Sequence, residues 1–262
     1  DVGDGAMSEM AVAGTDFRAL RTVWISHIHF DHIGGLFAVL GLRLQNRLTA
    51  PLTIYGPPGT KDIVKSLVEA MRLSARSGFG VPGEEAIDPA TGISVVELKN
   101  NDVVELPGFK VRVAENTHYS FKPGTPDADF FRSLSFRFDL PDRSIVYTGD
   151  TGPSDNVAAL ARGADLLVTE MIDLDAIKVT MSNYAKTMEP QKFDMLMRHL
   201  TMHHLTTDEI SALASKAGVK DVVVTHIAGG GAPDPSASGR YRNQIKKNYN
   251  GHVRIARDMD RF

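Results

Sequence analysis

Cysteine is absent from the 262 residues of this chain. Its absence excludes disulfides, thiolate nucleophiles and every zinc or iron–sulfur site that needs cysteine ligands. Any metal ion bound by this chain must therefore be held by histidine and carboxylate side chains.

Long apolar runs and an excess of positive charge are also missing. No apolar run approaches the ~20 residues of a membrane-spanning helix, so we expect no membrane partner. Lysine and arginine number 29 against 32 aspartates and glutamates, a net charge of −3. No global positive field attracts a polyanion, so nucleic acid is a disfavoured partner, though not excluded, and it would need a local basic patch.

The opening residues DVGDGAM show neither the charged region nor the apolar core of a signal peptide. On this evidence we weakly favour the cytoplasm. Because a targeting segment can lie upstream of Asp1, we leave the compartment open.

Short runs rich in valine and isoleucine alternate with helical patterns, which predicts a mixed α/β (α+β) fold in one domain, residues 1–262. The predicted strands are 22–28, 52–55, 93–98, 111–114, 134–138, 144–148, 166–170 and 222–227. The predicted helices are 35–45, 61–73, 157–162, 190–200 and 208–217, the last with a Thr206–Glu209 capping box and a closing Gly218. Residues 74–92 and 122–129 are expected to be loops.

Four possible metal ligands follow the first predicted strand: His27, His29, Asp31 and His32. His27 and His29 share a side if the backbone is still extended there, and the next two residues can turn toward a second position as a helix begins. Three further candidates come at later strand ends: His118, Asp150 and His226. Because strands deliver such residues to one rim of a sheet, the pattern predicts two metal ions close together.

The pattern His-x-His-x-Asp-His, a later His, Gly149-Asp150-Thr151 and Thr225-His226 resembles the metallo-β-lactamase fold superfamily, in its ribonuclease Z-like branch. The resemblance implies an αββα sandwich. Asp1–Gly5 is similar to the strand before the first metal motif, which implies that the first strands of the fold lie upstream of Asp1. It also implies one ion on His27, His29 and His118, a second on Asp31, His32 and His226, and Asp150 as the bridge.

Imidazole and carboxylate ligands suit two Zn²⁺ ions per chain, and Mn²⁺ or Fe²⁺ fits the same set. Such a pair activates a bridging water as hydroxide at neutral pH, which makes hydrolysis the natural reaction. The branch also carries a His-x-Thr motif, here His204-Leu205-Thr206. We assign proton donation to His204, with His203 as the fallback, and orientation of the nucleophile to Asp31.

A small ester-like substrate is the function we favour: a carboxylic ester, lactone, phosphodiester, sulfate ester or β-lactam. The first alternative is tRNA 3′-end processing, to which the branch points. Phe30 stands where that branch usually has glycine, and only 31 residues separate His118 from Asp150, too few for a tRNA-gripping arm. The second alternative is an iron-dependent enzyme that handles oxygen or sulfur. A non-catalytic binding scaffold is disfavoured because all seven ligands are present.

Each candidate also has a structural interpretation. The clustered histidines can satisfy backbone groups, His118 can be an ordinary strand histidine, and Asp150 can cap a helix. Six of the ten methionines lie between residues 171 and 202. Ordinary helix packing is the favoured interpretation of this segment over a flexible apolar lid, and the segment also offers a surface for a homodimer.

Overall fold

A computed structural model describes residues 1–229 and 236–262 of the chain. They form two compact units: an N-terminal unit, Asp1–Leu98 with Arg261, and a C-terminal unit, Lys99–Asp260 with Phe262. Each unit contains its own sheet. The mixed α/β class is confirmed, and the assignment of residues 1–262 to one domain stays a prediction.

The N-terminal unit is built around three parallel strands in the order β1-β2-β3. Leu52 and Ile54 on the central strand are fully buried, as is Ile25 just after β1. A central strand that is buried along most of its length is typical of a parallel sheet covered by helices. The elements are α1 (Ala6–Val12), β1 (Thr22–Trp24), α2 (Phe30–Ile33), α3 (Leu36–Gln45), β2 (Leu52–Gly56), α4 (Thr60–Ser77) and β3 (Ile93–Glu97).

The C-terminal unit contains seven strands in the order β10-β9-β8-β7-β6-β5-β4. Strands β4 to β7 pair antiparallel, and β7 to β10 pair parallel. The strands are β4 (Val103–Leu106), β5 (Phe109–Glu115), β6 (Leu134–Asp139), β7 (Ser144–Tyr147), β8 (Leu166–Ile172), β9 (Asp221–Ala228) and β10 (His252–Ile255). The helices are α5 (Pro126–Phe130), α6 (Asp155–Leu160), α7 (Leu174–Tyr184), α8 (Pro190–Met202), α9 (Thr207–Ala217) and α10 (Ala237–Ile245).

Helix α9 shows how sequence sets an element boundary. The Thr206 side chain accepts from the Glu209 N–H, and the Glu209 carboxylate accepts from the Thr206 N–H, which completes the predicted capping box. Gly218 ends the helix at φ 64°, a left-handed conformation that costs glycine little. His203 and His204 therefore lie just before a helix whose two ends are both fixed by capping interactions.

Several boundaries differ from the sequence predictions. The first strand ends at Trp24 rather than Ile28, so His27 and His29 lie in an extended loop before α2. Helix α4 extends past its predicted end at residue 73 to Ser77, and Gly78 follows the helix as its C-cap. The loop predicted at 122–129 contains the start of α5, whose first turn is capped by the Thr125 hydroxyl.

The methionine-rich segment is only partly core. Met171 is fully buried on β8, as packing predicts, whereas the side chains of Met195 and Met202 on α8 are 64% and 49% exposed. In the residues that the structure describes, none of the helices combines the length and apolar character needed to cross a bilayer.

Candidate metal centre

The histidine motif of the N-terminal unit spans the extended loop after β1 and the first turn of α2. His27 is fully buried, and its Nε2 lies 3.0 Å from Nδ1 of His29. His32 is also buried, and its ring centroid lies 4.0 Å from that of His27. Asp31 points outward with its side chain 62% exposed, and its Oδ2 lies 3.5 Å from Nε2 of His32. The four residues therefore present three imidazoles and a carboxylate at one turn.

The carboxylate of Asp1 orients this turn. It accepts hydrogen bonds from the Ser26 N–H at 2.6 Å and the Ser26 hydroxyl at 2.7 Å, and it lies 2.8 Å from Nδ1 of His32. A carboxylate bonded to Nδ1 fixes the proton there and directs the Nε2 lone pair outward, as in metal-ligating histidines. Sequence reasoning assigned Asp1 no role, although its place before Gly3-Asp4-Gly5 was a visible signal.

Backbone contacts hold Asp1 in place. The Val2 N–H donates to the His32 carbonyl, and the Gly35 N–H donates to the Val2 carbonyl. A Cβ on Gly3 would lie 2.5 Å from the Asp31 carbonyl oxygen, and one on Gly35 would lie 2.3 Å from the Gly3 carbonyl oxygen. Only glycine allows this close approach, which explains why glycine stands at both positions.

In the C-terminal unit, His118, Asp150 and His226 come from β5, β7 and β9. His118 and Asp150 follow the ends of their strands, as expected, and both are buried. His118 is held by Asn116, whose Oδ1 accepts from the His118 N–H and whose Nδ2 donates to the Thr148 carbonyl. His226 lies within β9 rather than after it, at φ 45°. Its Nδ1 lies 3.7 Å from Oδ1 of Asp150.

Glu170, on β8, is a functional candidate that is absent from the predicted site residues. It sits at a register shift between β8 and β9, an irregularity of the kind that re-aims a side chain. Its Oε1 accepts from the Leu205 N–H at 2.7 Å, and its Oε2 lies 3.1 Å from Nδ1 of His204. Burial raises the pKa of Glu170 well above its usual value, and the nearby charge of Asp150 adds to this.

His204 and His203, the two proton-donor candidates, have different surroundings. His204 is buried, and its Nδ1 lies 3.1 Å from Glu170 and 3.9 Å from Oδ2 of Asp150. His203 instead places its Nδ1 2.9 Å from Nδ1 of His199. Burial and the neighbouring His199 lower the pKa of His203 to about 4, so its ring is neutral at pH 7. Of the two, His204 is the residue in contact with carboxylates.

The donor sets of both units fit a divalent transition metal. Each set consists of carboxylates and of imidazoles, which bind a metal ion in their neutral form. Ligand atoms of Asp150, Glu170 and His204 lie within 4.8 Å of one another. Nδ1 of His118 lies 3.0 Å from the His203 carbonyl oxygen, so Nδ1 is the donor and Nε2 carries the lone pair. Oxygen and imidazole ligands without sulfur suit Zn²⁺, Mn²⁺ or Fe²⁺.

Comparison with known proteins identifies relatives along the whole chain. The family model of the β-lactamase superfamily domain matches residues 5–227. Ribonuclease Z of Mycobacterium bovis (strain BCG / Pasteur 1173P2) is 28% identical over 264 residues, which cover 100% of this chain and 85% of the relative. Ribonuclease Z of Mycobacterium sp. (strain KMS) is 30% identical over 244 residues, which cover 92% of this chain and 78% of the relative.

Solved structures with the same fold include a metallo-β-lactamase fold protein, YhfI from Bacillus subtilis. It aligns with a TM-score of 0.67 and 17% identity over 98% of this chain and 83% of its own. The short form of human tRNase Z aligns with a TM-score of 0.62 and 21% identity over 99% of this chain and 85% of its own. At these identities the likeness concerns the fold.

Proposed function

Because this chain belongs to the β-lactamase superfamily, in its ribonuclease Z-like branch, and is a metallo-hydrolase, we propose that it is a phosphodiesterase of ribonuclease Z type that cleaves RNA. The relatives named ribonuclease Z, matched along the entire chain, support RNA more strongly than the small ester that the sequence alone favours. The observation that carries the proposal is the buried group of Asp150, Glu170 and His204, which joins a ligand carboxylate to a proton donor.

The proposed metal ligands are the seven predicted residues: His27, His29, Asp31, His32, His118, Asp150 and His226. In each unit a hydrogen bond orients one of the proposed ligands: Asp1 orients His32, and the His203 carbonyl orients His118. Two divalent ions, when bound, supply a water nucleophile of lowered pKa and stabilise negative charge on a phosphoryl oxygen.

The protein side chains perform the remaining steps. We assign Asp31 to orientation of the nucleophile, because its carboxylate is the exposed member of the histidine turn. His204 donates a proton to the departing 3′-oxygen of the RNA. Glu170 holds the His204 ring in place, and in its ionised form it stabilises the charged form of His204, as a buried carboxylate does for a catalytic histidine.

Aromatic side chains beside His118 support an RNA substrate. The Tyr119 ring lies 5.3 Å from the His118 ring, the Phe121 ring lies 5.4 Å from that of Tyr119, and the Phe131 ring lies 5.4 Å from that of Phe121. We call these four side chains the aromatic row. Phe121 is 39% exposed, so a nucleobase has a ring face on which to stack.

A small ester-like substrate remains the second candidate, and two observations favour it over RNA. The 31 residues between His118 and Asp150 are occupied by α5, β6, β7 and their connections, which leaves no long arm there to grip tRNA. The net charge of −3 also provides no global attraction for RNA.

Precursor tRNA with a 3′ trailer distinguishes the candidates. We expect the metal-loaded protein to cut it at the junction with the trailer and to leave mature tRNA intact. Asp150→Ala should abolish cleavage, whereas Arg254→Ala should leave hydrolysis of bis-p-nitrophenyl phosphate nearly unchanged. Hydrolysis of carboxylic esters or lactones without RNA cleavage would select the small-ester candidate instead.

A further inference from the structure

Three histidine rings meet in the C-terminal unit: His118, His199 and His204. Their ring centroids lie 5.0 Å apart for His118 and His199, 5.0 Å for His118 and His204, and 5.4 Å for His199 and His204. The ring planes are inclined to one another by 67°, 82° and 84°. One nitrogen from each ring lies within 4.8 Å of the other two. A tetrahedral zinc ion places its ligand nitrogens about 3.4 Å apart, so the three rings would move slightly toward one another to hold one.

Hydrogen bonds on the outer side of two rings prepare the inner nitrogens. His118 uses Nδ1 to donate to the His203 carbonyl, and Nδ1 of His204 faces the Glu170 carboxylate. The His203 carbonyl is an acceptor, and so is Glu170 when it is ionised; in that state both Nδ1 atoms carry the protons and both Nε2 atoms carry the lone pairs. A histidine that ligates a metal is usually held in this way from behind.

His199 completes the arrangement. Its Nδ1 lies 2.9 Å from Nδ1 of His203, and one of these two nitrogens must be the donor. When Nδ1 of His199 donates the hydrogen bond to His203, Nε2 of His199 carries a lone pair, the third that can bind a metal ion. His199 also lies in the last turn of the 13-residue helix α8, where the helix dipole favours a positive charge.

We propose that His118, His199 and His204 form a three-histidine site for a divalent transition metal such as Zn²⁺, with His199 as a ligand that the catalytic metal pair does not use. The site shares His118 with the proposed metal pair. When His204 binds an ion here, it can no longer donate a proton to the substrate. An ion in this site takes His118 from the first ion of the pair, which keeps His27 and His29, and it therefore blocks catalysis when metal exceeds two equivalents. The inhibition rests on the proposed function, whereas metal binding does not.

The direct test removes the other ligands of the first proposed metal in the full-length protein. The variant His27→Ala, His29→Ala should still bind two Co²⁺ ions, one at the proposed second metal position and one at the three-histidine site, the latter with the strong visible absorption of a tetrahedral ion. Adding His199→Gln should weaken this binding by at least about 100-fold. Adding His252→Gln, which changes an exposed histidine on β10, should leave it unchanged. Equal Co²⁺ affinity with and without His199→Gln would overturn the proposal.

A second measurement uses the unaltered chain, in case the double variant fails to fold. Nitrogen NMR of ¹⁵N-histidine-labelled protein should show the Nε2 resonance of His199 shift to the metal-bound range as Zn²⁺ is raised beyond two equivalents. An unshifted His199 resonance at saturating Zn²⁺ would refute the site. Neither experiment needs turnover, so an error in the proposed RNA substrate leaves both results interpretable.

Discussion

Nδ1 of His204 lies 3.1 Å from Oε2 of Glu170, and both side chains are buried. The Leu205 N–H donates to the other oxygen of the same carboxylate, which fixes Glu170 in position. The pair sets which ring nitrogen of His204 carries a proton, and so it decides what the inward-facing Nε2 can do.

Glu170→Gln tests this pair. Glutamine can keep the bond from Leu205, but its amide group then donates to Nδ1 of His204 and reverses the tautomer of the ring. We expect kcat for RNA cleavage to fall by about 100-fold or more, because general acid catalysis contributes that much. Bound metal, measured by inductively coupled plasma mass spectrometry, should stay at the wild-type level for the proposed pair. A kcat within twofold of wild type would remove Glu170 from the mechanism.

Asp1→Asn tests the orientation of His32. The substitution keeps the size of the side chain but removes the charge that faces Nδ1 of His32 and the hydroxyl of Ser26. We expect affinity for Zn²⁺ to fall by about 10- to 100-fold, measured by competition with a chelator. Asp4→Asn, at an exposed position three residues away, is the matched control and should bind like wild type. Equal affinities for the two variants would contradict the orienting role.

Much of the fold could be predicted from local sequence. The parallel and antiparallel parts of the large sheet follow from period-2 patterns and strand–helix–strand units, and α9 follows from its caps. The edge strands β4 and β10 were missed because each has only four residues, half of them exposed.

The candidate site likewise contains some residues that the sequence predicts and others that it does not. The histidines could be found because they follow apolar strands in a short motif. Glu170 gained its orientation from a register shift between two strands, and Asp1 from contacts with residues 25 and 31 positions away. Neither relation has a local sequence pattern, so only the folded chain reveals it.

Gly152→Ala tests the packing of the loop that carries Asp150. A Cβ on Gly152 would lie 2.1 Å from the backbone carbonyl oxygen of Met202, next to His203 and His204. Because that oxygen is backbone, the loop must shift, which we expect to lower the free energy of unfolding by about 1–3 kcal/mol. Urea denaturation measures the change. Gly239→Ala in α10, where the added Cβ meets nothing within 4 Å, should cost no stability.

Phe121→Ala tests the aromatic row as a stacking surface. Stacking of a base on an aromatic ring is worth about 1–3 kcal/mol, so we expect KM for precursor RNA to rise by about 5- to 150-fold. Steady-state cleavage assays separate this rise from kcat. Phe37→Ala is the control, since Phe37 is similarly exposed, at 45%, but lies on α3 of the N-terminal unit. Identical kinetics for the two variants would exclude stacking on Phe121.

Asp173 anchors α10 to the end of β8, and its contribution to stability should depend on pH. Burial alone would raise the pKa of Asp173, but hydrogen bonds from Tyr241 and Arg240, both 2.7 Å long, outweigh it and lower the pKa to about 2. The unfolded chain has an ordinary aspartate pKa of about 3.9. The carboxylate therefore stabilises the fold fully above pH ~4, and this stabilisation is lost as the pH falls toward 2.

Asp173→Asn should accordingly lower the free energy of unfolding by about 1–3 kcal/mol at pH 7, because hydrogen bonds to a charged group are lost. The difference from wild type should shrink between pH 5 and pH 3, because the unfolded wild-type chain takes up a proton at Asp173 in this range while the folded chain still holds the carboxylate ionised. Urea denaturation at pH 7, 5 and 3 measures both effects. Asp194→Asn, at an exposed position on α8, should match wild type at each pH. A difference for Asp173→Asn that stays constant with pH would show that the charge of Asp173 is not what stabilises the contact.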